Sequence, residues 1–160
     1  MSTLDRTDRM IIALLQENAR LSNKELAARV GIAPSTCSER VRRLEMSGVF
    51  RGFHASVDPR VLGIGLQAMI AVRLRRHAAD EVDRFRRHAS EMPEVVSISH
   101  VAGANDFLVH VAVRDADHLR DLAVSGFTTL PEVDHIETAL IFEHLHKGAL
   151  PDVSRPSGDG

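Results

Sequence analysis

The chain has 160 residues, with 20 Lys and Arg against 22 Asp and Glu and a formal net charge of −2. That balance excludes a uniformly basic coat for nucleic acid, and the length suits one ordinary domain or two small ones. A single cysteine, Cys37, excludes a disulfide framework and a thiolate metal cluster. No N-terminal segment reads as a signal peptide and no apolar run approaches a membrane span, so a cytoplasmic protein with no membrane partner is expected. The charge is unevenly spread: residues 1–60 hold ten Lys/Arg against seven Asp/Glu (+3), and residues 61–160 hold ten against fifteen (−5). A cationic front half joined to an acidic back half suits a nucleic-acid reader coupled to a module with another task.

Leu4–Asn18 reads as a first helix. Asp5 is placed to cap it, Asp8 favours the positive end of its dipole, and Met10, Ile11, Leu14 and Leu15 form an apolar stripe. Ser22 with Glu25 three residues on is a capping box, and Leu26, Ala27 and Val30 then recur at helical spacing. Gly31 stands where a left-handed residue stops a helix, and Pro34 sits at a natural first position of the next. That second helix runs to about Ser47, with Cys37, Val41 and Leu44 inward. So apolar a setting makes Cys37 a core hydrophobe.

On the outward face stand Ser35, Thr36, Glu39, Arg42 and Arg43, with Arg40 on the flank. Short hydroxyls at the start and longer cations later match what a recognition helix needs in a major groove. The same pattern also fits the wet face of an ordinary two-helix hairpin. A short Gly-containing corner followed by a polar second helix favours the DNA-reading alternative. Ala33, an apolar N-cap for this helix, should cost about 0.5–2 kcal/mol of local stability, offset in part by Ser35. The stretch 49–57 (VFRGFHASV) suits a short wing or linker strand, and Asp58-Pro59 and Leu62-Gly63 mark a boundary.

From Leu66 the pattern becomes strand (Gln67–Arg75), helix (Asp80–Met92), strand (Val95–Val101), strand (Phe107–Val113), helix (Asp115–Phe127) and strand (Val133–His144). Met92-Pro93-Glu94-Val95 recurs as Leu130-Pro131-Glu132-Val133, each time between helix and strand. Two β-α-β halves imply an α+β fold, a ferredoxin-like βαββαβ sandwich with right-handed crossovers. Apolar residues on both faces of the later strands, such as Leu108 and Ala112 beside Phe107, Val109 and Val111, imply that a second copy covers the far face. A sheet-against-sheet homodimer presenting two recognition helices to a near-palindromic site is expected.

The nine histidines include His100, His110, His144 and His146, but no carboxylate or cysteine joins them at a familiar metal spacing, and no metal site is assigned. Arg84, Arg86, Arg87 and His88 read as the wet face of a helix. Pro151–Gly160 has a disordered composition.

Taken together, LDRTDRMIIALLQENAR (4–20), LSNKELAARVGIAPSTCSERVRRLEMSGVFRGFHASVDPRVLG (21–63), and GANDF and ETALIF in the second half resemble the Lrp/AsnC family of transcription regulators, nearly end to end. The resemblance implies an N-terminal winged helix-turn-helix domain (1–60), a C-terminal effector-binding and oligomerisation domain (61–148) and a tail (149–160). It also implies dimers that assemble into tetramers or octamers, and a small effector, an amino acid in most members, bound between dimers, with no other cofactor. The family's effector site maps onto Gly103, Ala104, Asn105 and Asp106, and onto Thr138 of the last strand. Glycine permits close backbone approach and aspartate can accept from an α-ammonium group. Ala104-Asn105 replaces an acidic–aromatic pair and Ile136 a commonly polar position, which leaves the effector's identity open. Read without the resemblance, GANDF is an ordinary hairpin turn.

The competing reading is an enzyme similar to the siroheme-type decarboxylases of haem biosynthesis, which resemble this family in both domains and use His and Arg around a tetrapyrrole. Against it, the Ser/Thr/Arg face is kept and no nucleophile–base pair stands out. The protein is therefore expected not to be an enzyme, and its partners to be double-stranded DNA, a second copy of itself and the effector.

Overall fold

The structure, a computed structural model, describes residues 4–154. It divides into two compact units, Met1–Ala55 with Leu145–Gly160, and Ser56–His144. The break therefore falls a few residues before the one expected at residues 60/61.

The first unit is built on three helices, α1 (Arg6–Glu17), α2 (Asn23–Val30) and α3 (Pro34–Met46). Asp5 and Asp8 form a capping box on α1, and Ser22 and Glu25 form one on α2. Gly31 ends α2 at φ 77°, a left-handed conformation that favours glycine. Ile11, Leu15, Leu26, Ala27, Cys37 and Leu44 make its small core. The α1 stripe differs from expectation at its start. Met10 lies exposed while Asp8 is only 1% exposed. Asp8, Ile11 and Leu15 share one face by i, i+3 and i+7 spacing, and Asp8 takes the inward place because arginines of α3 neutralise it there.

After α3, residues 49–58 carry neither helix nor strand pairing, so the wing or linker strand expected there forms no ladder in this chain. The segment expected as a disordered tail differs too. Its described part lies along α1, where Leu150 donates its N–H to Gln16 Oε1 at 2.8 Å and Arg9 Nη1 reaches Asp152 at 2.9 Å. Residues 155–160 lie outside the described residues.

The second unit is a four-stranded antiparallel sheet in the order β2-β3-β1-β4, with β1 Leu66–Leu74, β2 Val95–His100, β3 Phe107–Val113 and β4 Val133–Leu140. Helices α4 (Ala79–Glu91) and α5 (Ala116–Asp121) connect the strands, and the strand order is that of a ferredoxin-like sandwich. Register places Ala68, Ile70 and Val72 opposite Val111, Val109 and Phe107, so all share one face. Against that face pack Phe85 and Ala89 of α4, with Leu119, Leu122 and Phe127. The two Pro-Glu repeats adopt the same turn. Val95 and Val133 donate to Met92 and Leu130 at 3.1 Å each, and the Glu94 and Glu132 carbonyls accept from Ala112 and Arg75 across the next strand.

Two boundaries shift by more than two residues. Beyond Asp121 the chain widens into a π-helical turn, Leu122–Thr128, which helical periodicity does not signal. It brings Phe127 fully into the core and Gly126 against Met92, where a Cβ would collide. The β4 ladder stops at Leu140, not His144. Its partner β1 begins at Leu66, and only the Ile141 N–H still finds a carbonyl, that of Gln67.

Candidate DNA interface and effector loop

The α3 N-terminus has no side-chain cap: Ala33 supplies none, and the compensation expected from Ser35 is not made. Its backbone still closes, with the Cys37 N–H reaching the Ala33 carbonyl at 2.9 Å. Cys37 and Leu44 anchor the inner face, and burial pushes the Cys37 thiol up. Ser35, Thr36, Glu39, Arg42 and Arg43 are exposed and Arg40 is half-buried. Thr36, Glu39, Arg40, Arg42, Arg43 and Met46 line one continuous surface.

These cations differ in freedom. Arg43 Nη2 donates to both carboxylate oxygens of Asp8, at 2.8 and 2.7 Å. Arg40 Nη1 bridges Asp8 and Asp5, at 2.8 and 2.6 Å. The Asp8 backbone N–H and then the Arg40 guanidinium hold the Asp5 carboxyl below its ordinary range, and the two aspartates raise Arg40 in turn. Arg42 has no acidic partner within ion-pair distance among the described residues. The sequence places Arg42 and Arg43 on the outward face and Arg40 on its flank but does not reveal the clamp, because its partners lie 32 to 35 residues away.

In the second unit the β2–β3 turn carries Gly103 at φ 133°, a backbone that only glycine adopts readily, with open space where a side chain would stand. Gly103 and Ala104 are exposed, Asn105 is half-buried and Asp106 is buried. The Asp106 carboxylate is committed: Oδ2 accepts the Leu74 N–H at 2.8 Å, and Oδ1 lies 2.7 Å from His77 Nδ1. Its backbone N–H donates to the Val72 carbonyl. Thr138 is exposed on β4 opposite Ile70 of β1. The turn and Thr138 therefore flank β1 from opposite sides, two strand spacings or about 10 Å apart across the sheet and offset along it as well.

On the sheet face away from the helices lie Gln67, Met69 and Ala71 of β1 with Leu108, His110 and Ala112 of β3. His110 is nearly buried there, with Nε2 2.9 Å from Gln67 Oε1 and its ring 5.2 Å from that of His144. Burial, then His144, holds its pKa below the usual 6.5. Other histidines serve locally: His100 stacks on Phe107, His118 meets Glu94 and His88 meets the Gly126 carbonyl. Among the described residues no three His, Cys, Asp or Glu side chains converge as a metal ion would need, and no helix is long and apolar enough to cross a membrane.

Residues 4–51 match the winged helix-turn-helix DNA-binding family, and residues 67–150 match the Lrp/AsnC ligand binding domain. The HTH-type transcriptional regulator AldR of Mycolicibacterium smegmatis is 46% identical over 148 residues, 92% of this chain and 86% of its own. The leucine-responsive regulatory protein of Escherichia coli is 35% identical over 142 residues, 89% and 87% of the two chains. Among solved structures, a transcriptional regulator of Neisseria meningitidis in complex with L-methionine superposes with a TM-score of 0.88 at 32% identity, covering 95% of this chain and 99% of that one. A helix-turn-helix with a polar recognition face, a β2-β3-β1-β4 sheet and these likenesses agree: the chain belongs to the Lrp/AsnC family of DNA-binding transcriptional regulators.

Proposed function

We propose that the chain reads duplex DNA through the outward face of α3 and changes that reading when a small amino acid binds its second unit. The observation that carries this is the exposed row Ser35, Thr36, Glu39, Arg42 and Arg43, with Arg40 beside it, on a helix held by a capped, Gly-terminated corner. Hydroxyls near the α3 start approach base edges, and the arginines reach guanine edges and phosphates.

The effector is an α-amino acid, as in the methionine-bound relative. Backbone N–H groups of the exposed Gly103 and Ala104 and the half-buried Asn105, with the Thr138 hydroxyl, would hold its carboxylate. Asp106 would take the ammonium group in exchange for His77, whose side chain is 76% exposed and easily displaced. Because the turn and Thr138 lie two strands apart, a neighbouring copy completes the pocket. The open sheet face around Met69, Ala71, Leu108 and Ala112 supports a homodimer, and the effector then lies between dimers of a tetramer or octamer. Such a regulator acts in the cytoplasm, where the chromosome lies, and does not catalyse a reaction; purified protein is expected to be colourless and to leave porphyrin absorption unshifted.

The test is a gel shift on the DNA upstream of the protein's own gene, with each of the twenty amino acids added in turn. Binding that one amino acid alters in wild type but not in Asp106→Asn is expected, with the dimer intact in both. No retardation even in dilute buffer would overturn the DNA reading. A response retained in Asp106→Asn would remove Asp106 from the site, and a strictly monomeric protein would end the dimer.

A further inference from the structure

We propose that Asp8 is a positioning residue for DNA reading, fixing the arginines of α3 and offsetting part of their charge so that binding depends on base contacts more than on phosphate attraction. This rests on α3 being the DNA-facing helix. Asp8 belongs to α1, yet its carboxylate is 2% exposed and accepts three hydrogen bonds from α3 guanidiniums, one from Arg40 and two from Arg43. Capping α1 needs only the Asp5 side of the box, where Asp5 Oδ1 takes the Asp8 N–H at 2.8 Å. The Asp8 return bond to the Asp5 N–H is long, at 3.4 Å. The carboxylate is directed at the recognition helix.

Two consequences follow. A guanidinium has donors on three nitrogens, and only Nη2 of Arg43 is committed. The Nε and Nη1 donors stay available on a side chain still 54% exposed. Held from behind, Arg43 offers them in one orientation, which lowers the ordering needed to meet a base edge. The charge effect is separate. Asp8 and Asp5 oppose Arg40 and Arg43, leaving Arg42, among the described residues, as the unopposed cation of the face. Attraction to phosphate, which is blind to sequence, is thereby held down. A carboxylate serving only to tie α1 to α3 would affect stability and neither of these properties.

The experiment uses the full chain, a duplex that the wild-type protein selects from a random pool, and a mixed-sequence competitor duplex. In Asp8→Asn the ratio of specific to non-specific affinity is expected to fall about tenfold, and the salt dependence on the competitor to steepen by about one phosphate contact. Asp8→Glu, which keeps the charge, should restore the salt dependence. Arg43→Lys keeps the cation but loses the fork, so its ratio should fall while its salt dependence stays as in wild type. Arg42→Ala should weaken binding to both duplexes alike. A folded Asp8→Asn with wild-type ratio and wild-type salt dependence would overturn the proposal. Were Asp8→Asn not to fold, an unchanged ratio in Arg43→Lys would overturn it instead. Failure of the wild type to bind any duplex would remove the DNA reading itself, and this proposal with it.

Discussion

Asp8 and Asp106 are buried carboxylates, 1% and 7% exposed, one in each compact unit, and they hold different kinds of partner. Asp8 faces two guanidiniums that reach it across 32 and 35 residues. Asp106 holds a backbone N–H at the end of β1 and one histidine whose own side chain is mostly exposed. The first arrangement fixes long side chains on an outward surface. The second fixes a turn and leaves a replaceable partner. A reader of a rigid duplex gains from side chains already in place, whereas a sensor needs a group that can change partner when its ligand arrives.

Removing each carboxylate in turn separates the two sites most strongly. Asp8→Ala takes the acidic partner from Arg43, leaves Arg40 with Asp5 alone, and should destabilise the chain by about 2–4 kcal/mol, the loss being reduced because Arg43 is half exposed. Asp106→Ala orphans the buried Leu74 N–H and should cost about 1–3 kcal/mol. Urea unfolding followed by circular dichroism checks both; a smaller loss in Asp8→Ala than in Asp106→Ala would erase the distinction between the two sites. Ala33→Ser supplies the missing α3 cap and should gain about 0.5–2 kcal/mol by the same measurement.

The smallest effect is a pH dependence at His110. Its native pKa lies below 6.5, so as pH falls below that value the unfolded chain takes the proton first. Stability is then lost until native His110 is protonated too. Melting temperatures compared between about pH 7.5 and 5.5 should decline in wild type and decline less in His110→Gln.

The helix corner could be read from sequence because its signals are local. Ser22 and Glu25 are three residues apart, and Gly31 closes α2 at φ 77°. The β strands were legible for a similar reason, since alternate residues of Phe107–Val113 face the core. What stayed hidden depends on partners distant in the chain. Nothing near Asp8 marks it as the inward residue in place of Met10. No periodicity reveals the π-helical turn that seats Phe127, and composition alone made a loose tail of the segment whose Asp152 meets Arg9. The Ser154 hydroxyl, and after it Arg9, draws the Asp152 carboxyl down to about 2. In the β2–β3 turn the resemblance singled out Gly103 to Asp106, but nothing in the sequence shows that both oxygens of Asp106 are already in use.

Duplex affinity measured against salt concentration, for wild type and Arg42→Ala side by side, decides whether α3 is the helix that meets DNA. If the α3 face contacts phosphate through its unopposed cation, the wild type loses affinity steeply as salt rises and Arg42→Ala has a slope shallower by about one. Identical slopes for the two proteins, or a wild type indifferent to salt, would contradict it.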